Sequence, residues 1–323
     1  MMKNSVYSCL LVGLGKIGFK YDKNLKNEKK ILSHAKAIFY NKNLKLIGGV
    51  DKNIYNINSF KKIYKKVDTF TNLKLALNKK PDIAIIATPT ETHLQIIKTI
   101  ITEKSIKTII CEKPFGFDYK ELNKIIKKCK KKNINLFVNY IRISDPATIR
   151  IKNIIQKYTK KNDAICEVYY TKGFYNNCSH FLNLVEFWFG DLKKIIAVKK
   201  IKKINFYDLK LYCEIIFNKA KVKFIPLEND NFKDFLKIRL KNKIIYYLSG
   251  GKSISIKRIG TKRSKLFYKK IDIKNKMKIY QKNFYYELIA FFNNKKYRLC
   301  SGTQAFKTLK IMNSITKKIY GKK

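Results

Sequence analysis

The sequence predicts an α/β protein with an N-terminal doubly wound parallel sheet, followed by an α+β domain with one open, mostly antiparallel sheet. Short apolar runs alternate with helical segments up to about residue 143, which is typical of parallel βαβ units. Beyond Pro146, runs of β-branched and aromatic residues are flanked by helices instead. We therefore expect one domain at residues 1–143 and another at 144–323, with the last helix able to pack back on the first domain.

A glycine-rich turn follows the first apolar run, residues 10–12. The turn reads Gly13-Leu14-Gly15-Lys16-Ile17-Gly18. A strand that leads into G-x-G-x-x-G is typical of a dinucleotide-binding unit. Gly13 permits a tight turn, Gly15 lets the backbone approach a pyrophosphate, and Gly18 lets the next segment lie close to the strand. The amides of that segment, together with a helix dipole, are expected to face the phosphates.

An acidic residue, Asp51, ends the second predicted strand at residues 44–50. A carboxylate at this place can accept both hydroxyl groups of the adenosine ribose, which favours NAD over NADP. Asp51 lies further from the glycines than the usual ~20 residues, because a lysine-rich excursion at 19–30 precedes the predicted helix at 33–40. The alternative for Asp51 is an ordinary turn residue at a strand end.

Two further motifs follow predicted strands. The strand at 83–87 is followed by Thr88-Pro89-Thr90-Glu91-Thr92-His93, and the strand at 108–110 by Cys111-Glu112-Lys113-Pro114. Ligands of doubly wound sheets bind outside the carboxyl ends of the strands, where these motifs lie. Strands at 67–70 and 134–140 are expected to complete the sheet. Helices are predicted at 73–78 and 119–132.

The second half of the chain predicts a different set of elements. A helix at 147–158, a strand at 165–171 and a helical segment at 179–189 come first. Alternating β-branched and aromatic residues then predict strands, among them 210–217, 221–225 and 235–240. Helices at 283–292 and 303–320 end the chain, and no internal repeat is evident.

The chain is strongly basic, with 72 Lys+Arg, 22 Asp+Glu and a net charge of +50. The lysines are scattered singly and in pairs along the whole length, so a solvated basic surface is favoured over dedicated nucleic-acid binding. The charge should still attract anionic ligands. No stretch approaches the roughly 18–20 apolar residues that span a membrane.

The seven cysteines form no C-x-x-C pair. Their odd number and apolar surroundings indicate reduced thiols, without a disulfide framework or a metal site. The short N-terminal apolar run is interrupted by glycines, so we do not interpret it as a signal peptide. These features predict a cytoplasmic protein.

Taken together, the motifs resemble one family over nearly the whole chain. Residues 12–18, Thr88-Pro89-Thr90, Glu112-Lys113-Pro114 and the segment from Gly173 to Ser179-His180 occur in an order similar to that of the Gfo/Idh/MocA family (glucose–fructose oxidoreductase, inositol dehydrogenase and rhizopine catabolism). Residues 33–37, 138–142, 286–288 and 300–305 also look like that family. The Glu-Lys-Pro element is the most specific of these motifs.

The resemblance implies roles for individual residues. Lys113 corresponds to a lysine beside the nicotinamide and the carbon being converted, and the peptide before Pro114 is implied to be cis. His180 corresponds to the acid/base histidine, since hydride transfer also requires movement of the hydroxyl proton. A surface lysine and a buried structural histidine are the alternatives. The expected cofactor-binding set is Gly13, Leu14, Gly15, Lys16, Ile17, Gly18, Asp51, Thr88, Pro89, Thr90, His93, Glu112 and Lys113.

The expected substrate-binding residues depart in part from the family pattern. Dehydrogenases of the family often carry an Asp four residues before the histidine and another three after it, where this chain has Asn176 and Asn183. An Asn supplies a dipole but no charge to support an imidazolium. Tyr140 and Arg142, just past the sixth strand, are the other candidates; Arg142 could bind a phosphate or carboxylate, or be structural.

The resemblance implies an NAD(P)-dependent oxidoreductase that acts on a sugar. The Asn-containing form is similar to a sub-branch of bacterial surface-glycan and sugar-nucleotide enzymes, which suggests a nucleotide-linked or amino sugar. Three alternatives stay open: redox-neutral chemistry with a retained cofactor, a regulatory protein that binds NAD, and a basic nucleic-acid binder. Apolar residues on both faces of the predicted second sheet indicate a homodimer or homotetramer.

Overall fold

The computed structural model describes residues 5–159, 164–262 and 265–321. The chain forms two compact units. The first consists of the residues up to Ser144 together with Lys278–Phe306. The second consists of Asp145–Met277 and the residues from Lys307 onward.

The N-terminal part of the first unit alternates strands with helices. In chain order these are β1 (Tyr7–Val12), α1 (His34–Phe39), β2 (Leu44–Val50), α2 (Ile54–Lys61), β3 (Asp68–Phe70), α3 (Leu73–Leu77), β4 (Ile83–Ile86), α4 (Thr90–Ile100), β5 (Thr108–Cys111), α5 (Tyr119–Lys131) and β6 (Asn135–Val138). A short 3-10 helix, Lys20–Asp22, lies between β1 and α1.

The rest of the chain contains most of the antiparallel strands. The elements are α6 (Pro146–Tyr158), β7 (Ala164–Tyr170), a π-helix (Phe174–Cys178) that runs into α7 (Ser179–Phe189), β8 (Leu192–Lys203), β9 (Leu209–Phe217), β10 (Ala220–Pro226), β11 (Phe235–Leu240), β12 (Lys243–Leu248), β13 (Ser253–Lys262), β14 (Lys265–Asp272), α8 (Tyr280–Phe292), β15 (Cys300–Ser301) and α9 (Gly302–Tyr320).

The first unit is built on a parallel sheet with strand order β15-β6-β5-β4-β1-β2-β3. The predicted doubly wound arrangement is confirmed, because β1 to β6 pair in parallel with their neighbours. The sequence analysis expected β6 to be the last strand at this edge of the sheet, but the structure has one more strand beyond it. Cys300 and Ser301 add an antiparallel strand against Val138 and Phe137. Two residues are too few to produce a recognisable strand pattern in the sequence.

The sequence analysis placed one domain boundary after residue 143, whereas each unit of the structure is made of two separate stretches of the chain. Helix α8, which the sequence assigned to the second domain, belongs to the first unit. Its residues Phe284, Tyr285 and Leu288 are buried in the same core as Leu11 of β1 and Ile38 of α1. Burial of this apolar face accounts for the assignment, because each such side chain contributes on the order of 1.5–3 kcal/mol when it leaves water.

The second unit is built on a sheet with strand order β14-β13-β12-β11-β7-β10-β9-β8. Its described strands pair antiparallel except for β7 and β10, which are parallel. The predicted open, mostly antiparallel sheet is therefore confirmed. Trp188 of α7 packs edge-on against Tyr247 of β12, and its indole nitrogen donates to the Thr148 carbonyl 3.1 Å away.

All seven cysteines are buried thiols. Among the helices of residues 5–159, 164–262 and 265–321, none combines the length and the apolar character that a membrane crossing requires.

Candidate functional site

The turn after β1 leaves no room for side chains at two of its glycines. Gly13 has a φ of +98°, and a Cβ there would lie 2.6 Å from the Ala87 carbonyl oxygen. A Cβ on Gly18 would lie 2.0 Å from the Gly13 oxygen. The Gly13 amide donates to Val50 at 2.8 Å, which joins the turn to the end of β2. The turn thus needs glycine for steric reasons, as the sequence indicated.

Gly15 faces open space instead. A Cβ placed there would meet no atom within 4 Å. Gly15 borders a cavity of about 740 Å³ at the carboxyl ends of β1, β2 and β4. The cavity is lined by Val12, Gly13, Gly15, Val50, Asp51, Lys52, Asn56, Thr71, Leu73, Ala87, Thr88, Pro89, Glu91, Thr92, Gln95, Ile96 and Thr99. Backbone open to a cavity of this size fits the approach of a dinucleotide.

The predicted excursion between the glycine turn and the first α-helix is present in the structure. Phe19 donates to Gly15 and Tyr21 to Lys16, both at 2.9 Å, which forms only a short helical turn. The next helix, α1, begins at His34, whose amide donates to Ile17 at 3.0 Å. Residues 19–33 are therefore inserted between the turn and the helix that packs on it. The helix predicted at 33–40 is confirmed as α1, a short helix of six residues, so its dipole is correspondingly small.

The inserted segment is attached to α1 by a buried lysine. Lys36 Nζ donates to the carbonyl oxygens of Asn24, at 2.6 Å, and Asn27, at 2.8 Å. Asp22 accepts from the amides of Leu32 and Ser33, at 2.5 and 3.1 Å. These contacts explain how a polar, lysine-rich stretch is accommodated beside the turn.

Asp51 follows the last residue of β2, and its carboxylate accepts hydrogen bonds from several protein donors. Its Oδ2 accepts from the Leu14 amide at 2.8 Å and from Asn56 Nδ2 at 2.9 Å, and its Oδ1 accepts from the Asn53 amide at 2.8 Å. A carboxylate offers about four acceptor positions in all. Asp51 therefore joins β2 to the glycine turn and also lines the cavity, where it keeps acceptor capacity beyond these three hydrogen bonds.

His93 of α4 lies between two loops. Its Nε2 is 2.9 Å from the Thr88 carbonyl oxygen, and its Nδ1 is 3.1 Å from that of Pro114. The ring is fully buried, and burial lowers the pKa of His93. The structure thus directs His93 toward the backbone at the ends of β4 and β5, and it is not among the residues that line the cavity.

Glu112 belongs to a buried polar network in the first unit. Its Oε1 lies 3.0 Å from His34 Nε2 and accepts from Asn139 Nδ2 at 2.5 Å. The Tyr285 hydroxyl is 2.8 Å from His34 Nδ1, which adds a third side chain to the network. Burial opposes ionisation of Glu112, but the hydrogen bonds from His34 and Asn139 and the charge of Lys113 hold its pKa below the ordinary value.

Lys113 is half-buried between these two anchored neighbours. The Lys113–Pro114 peptide is cis, as the resemblance implied. The preceding residue, Glu112, is hydrogen-bonded within the buried network, and the carbonyl of the following residue, Pro114, is hydrogen-bonded to His93. Tyr140 and Arg142, just after β6, are also part of the first unit and are buried.

His180 is part of the second unit, at the start of α7. It follows the π-helix Phe174–Cys178, an irregularity that is frequent at functional sites. The His180 side chain is half-buried, and Asn176 is exposed. Asn183 is buried and donates to Thr308 Oγ1 of α9 at 3.1 Å.

The structure therefore groups the predicted residues into three sets. Gly13, Gly15, Asp51, Thr88 and Pro89 share the cavity. Glu112 is part of the buried polar network, and Lys113 follows it in the chain. His180, Asn176 and Asn183 belong to the other unit. Leu14, Lys16, Ile17, Gly18 and Thr90 shape the turn and the start of α4 but are not among the cavity-lining residues.

Several cavity residues were missed by the sequence reasoning. Thr71 and Leu73 follow β3, and the rule for carboxyl ends of strands could have identified them. Thr92, Gln95 and Thr99 lie on one face of α4, at helical spacing from one another. Within the part of the chain that the structure describes, no group of three His, Cys, Asp or Glu side chains could hold a metal ion.

Comparison with known families agrees with this geometry. Residues 7–140 match the sequence profile of GFO_IDH_MocA, described as "Oxidoreductase family, NAD-binding Rossmann fold". The N-terminal part of the chain, residues 7–140, therefore matches the NAD-binding domain of the Gfo/Idh/MocA oxidoreductase family. The match supports an NAD(P)-dependent oxidoreductase whose N-terminal domain is an NAD-binding Rossmann domain.

Solved structures share the fold over nearly the whole chain. UDP-N-acetylglucosamine 3-dehydrogenase GnnA from Acidithiobacillus ferrooxidans is 13% identical, with a TM-score of 0.72 and coverage of 96% of both chains. The WlbA dehydrogenase from Bordetella pertussis, in complex with NADH and UDP-GlcNAcA, is 14% identical, with a TM-score of 0.72 and coverage of 97% of this chain and 96% of that one. An oxidoreductase from Agrobacterium radiobacter, in complex with NAD+, L-tartaric acid and magnesium, is 12% identical, with a TM-score of 0.74 and coverage of 98% and 97%.

At these identities the likeness shows the fold alone. A comparison with curated protein sequences found no match.

Proposed function

We propose that this oxidoreductase transfers a hydride between NAD and a hydroxyl or carbonyl carbon of a nucleotide-linked or amino sugar, in the biosynthesis of a bacterial surface glycan. The observation that carries this proposal is the setting of Lys113. Its neighbours Glu112 and Pro114 are both anchored at the end of β5, so its backbone is held at the edge of the sheet where ligands bind. A random surface lysine would not need such support.

The bound nicotinamide would supply the hydride chemistry. Gly13 and Gly15 would accommodate the pyrophosphate, and Asp51 would accept from the adenosine ribose. In the oxidative direction the sugar carbon loses a hydride and its hydroxyl loses a proton. His180 would take that proton, and the Lys113 ammonium would stabilise the negative charge that develops on the oxygen. Tyr140, Arg142, Asn176 and Asn183 would contribute to sugar binding.

The substrate class is supported by the named neighbours and by charge. Two of the structural neighbours act on or were crystallised with UDP-linked sugars. The net charge of +50 would also draw a diphosphate-linked sugar to this protein. We propose a cytoplasmic location, where such nucleotides and reduced thiols occur together.

We also propose that the chain is a homodimer or homotetramer built through its second sheet. Tyr169 of β7 and Phe235 of β11 stack with their ring centroids 4.2 Å apart, and both are half-exposed. Ile225 of β10 is the register partner of Tyr169 and is also half-exposed. Contiguous aromatic and aliphatic groups on a sheet face are typical of an interface between subunits.

The decisive experiment is a panel of nucleotide sugars, beginning with UDP-N-acetylglucosamine, in which formation or loss of NADH is followed by absorbance. Lys113→Ala and His180→Ala should each lower turnover by a factor on the order of 10² or more, because each removes a group that acts on the same oxygen. NADH affinity should stay near that of the wild type. The double variant should be little worse than either single one.

Two outcomes would favour the alternatives. Product formation without net NADH change would indicate redox-neutral chemistry with a retained cofactor. NADH binding without turnover of any sugar would indicate a regulatory protein. Lys120→Ala is the matched control for Lys113→Ala, since Lys120 is an exposed lysine of α5.

A further inference from the structure

The segment that leads from β7 into α7 is held by three carboxylates. Asp208, Asp230 and Asp234 all accept hydrogen bonds from residues 171–177. Acidic residues are scarce in this chain, at 22 against 72 basic residues. Three of these acidic residues bind one short segment, residues 171–177, which lies just before His180 in the chain.

Asp208 binds the first amides of the helix. Its carboxylate accepts from Tyr175 at 2.8 Å and from Asn176 at 3.0 Å, and it is buried. The first amides of a helix have no partner within the helix, and a negative charge near them is favourable. Burial is the main cause that raises the pKa of Asp208, and the amide hydrogen bonds only partly offset it.

Gly173 is required by the approach of Asp208. A Cβ on Gly173 would lie 2.2 Å from Asp208 Oδ2. The backbone of Gly173 is extended, with φ 160° and ψ 161°, so any residue could adopt its conformation. Close contact with the carboxylate, not backbone geometry, therefore explains the glycine.

Asp234 ties the two ends of the segment together. It accepts from the amide and the hydroxyl of Thr171, both at 2.8 Å. Its two oxygens also accept from Asn177 Nδ2, each at 2.9 Å. One carboxylate thus links the end of β7 to the last turn before α7.

Asp230 adds a third attachment. It accepts from the Lys172 amide at 2.9 Å, and it pairs with the buried ammonium of Lys210 at 2.9 Å. Lys210 Nζ also donates to the carbonyls of Leu227, at 2.7 Å, and Glu228, at 3.0 Å. The loop that carries Asp230 and Asp234 is therefore fastened to β9.

We propose that Asp208 and Asp234 are positioning residues for His180. They fix the start of the helix on which His180 lies, so that its imidazole is presented in one orientation. The proposal rests on the proposed acid/base role of His180. A displacement of about 1 Å at a reacting group can cost on the order of 10² in rate. The carboxylates act through the backbone of residues 171–177, so they need not contact the substrate.

Two measurements test the proposal without any sugar. In Asp208→Asn and in Asp234→Asn, amide hydrogen exchange in residues 171–182 should be at least about tenfold faster, while exchange in β9 and β10 should be unchanged. The imidazole NMR spectrum has signals from three histidines. The His180 signal should broaden or split, while those of the buried His34 and His93 should not move.

The matched control is Asp191→Asn. Asp191 lies just beyond the other end of α7, where its exposed carboxylate pairs with Lys307. The change in net charge is the same, so this variant should leave both measurements unchanged. Where a sugar is turned over, Asp208→Asn and Asp234→Asn should lower kcat at least about tenfold with KM within a factor of three. If either aspartate variant does not fold, Asn177→Ala removes only the side chain held by Asp234 and should give the same signature.

A double-mutant cycle isolates the Gly173–Asp208 contact. Gly173→Ala should accelerate exchange in residues 171–182, because the new methyl group displaces the carboxylate. Combined with Asp208→Ala, the same substitution should have little further effect. Additive effects, or an unchanged His180 signal in Asp208→Asn and Asp234→Asn, would overturn the proposal. If His180→Ala keeps full turnover, the catalytic role of His180 fails, and exchange and NMR still decide whether the carboxylates position it.

Discussion

The Nε2 atom of His34 lies 3.0 Å from Oε1 of Glu112, and both side chains are buried. This contact joins the start of α1 to the end of β5. A second histidine, His93, faces the Pro114 carbonyl on the other side of Lys113. Two of the three histidines of the chain thus support the backbone on either side of one lysine, and neither needs to contact the substrate to affect catalysis.

The first prediction concerns the buried carboxylate of Glu112. Glu112→Gln should lower the free energy of unfolding by roughly 1.5–3 kcal/mol, the cost of losing hydrogen bonds to a charged group. The pKa of Glu112 is held below 4.5 in the folded protein. Its contribution is therefore present above pH 4.5 and is lost as the pH falls through the lowered value. Urea denaturation at pH 7 and at pH 3 measures both effects.

Glu121→Gln is the control for this prediction. Glu121 is a solvent-facing carboxylate that pairs with Lys98 and Lys124. Exposed ion pairs contribute little to stability. Equal destabilisation by the two substitutions at pH 7 would contradict a special role for the His34–Glu112 contact.

A second prediction concerns cofactor choice. NADH should bind more tightly than NADPH, because the Asp51 carboxylate repels a 2′-phosphate. Asp51→Asn should narrow the preference by about tenfold, and Lys52 in the same cavity would favour the added phosphate. Fluorescence titration with both cofactors measures the ratio. The control is Asp68→Asn, which removes the same charge at an exposed position of β3 and should leave the ratio of NADH to NADPH affinity unchanged. Equal or tighter binding of NADPH by the wild type would exclude the ribose role of Asp51.

Local patterns in the sequence predicted most strands of the two sheets but not the contacts that support the site. The predicted strand at 44–50 coincides with β2, and that at 235–240 with β11. Helix α2 was missed because only Ile57 and Phe60 are buried in it, too few for an apolar periodicity. Its existence depends on packing that a single segment does not reveal.

The supporting contacts join residues that are far apart in the chain. Tyr285 reaches His34 across 251 positions, and Asp234 reaches Asn177 across 57. No spacing rule connects such pairs in one sequence. The motif around Lys113 could be recognised because its residues are adjacent in the chain, whereas the contacts that support it are assembled only by folding.

A third prediction follows from Glu186 of α7. Burial raises its pKa to about 7 from 4.5, although Thr308 Oγ1 donates to its Oε2. A raised pKa means that the associated stability is complete below pH 4.5 and is lost as the pH rises through 7. At about 1.4 kcal/mol per pKa unit, the loss is roughly 3 kcal/mol. Glu186→Gln should remove this dependence and be more stable than the wild type at pH 8.

Thermal or urea unfolding between pH 4.5 and 8 provides the measurement for Glu186. The control is Glu228→Gln, at an exposed position, in which the free energy of unfolding should depend on pH as it does in the wild type. A slope that survives in Glu186→Gln would assign the pH dependence to another group.

A fourth prediction concerns assembly. Light scattering at micromolar concentration should give the mass of a dimer or a tetramer. Tyr169→Glu should shift the mass toward the monomer, since it places a charge within the stacked pair with Phe235 on the second sheet. Tyr55→Glu, at a position 78% exposed on α2, should not. A monomeric wild type would contradict the interface.

The last prediction separates the two asparagines beside His180. Asn176 is exposed and lies four residues before the histidine, so Asn176→Asp can place a carboxylate near the ring without disturbing the core. A negative charge should raise the pKa of His180 and shift the pH–rate profile upward. Asn183 is buried against Thr308, which also contacts Glu186.

Asn183→Asp therefore has a different expected outcome. It brings a second carboxylate into a buried cluster that already contains Glu186, and like charges there destabilise each other. It should lower stability and raise the pKa of Glu186, with little gain in rate. Stopped assays from pH 6 to 9, with unfolding measured on the same variants, distinguish the two substitutions. If the wild type binds NADH but turns over no sugar, and Asn176→Asp with Asn183→Asp creates activity, the chain is a regulatory relative whose asparagines abolish catalysis.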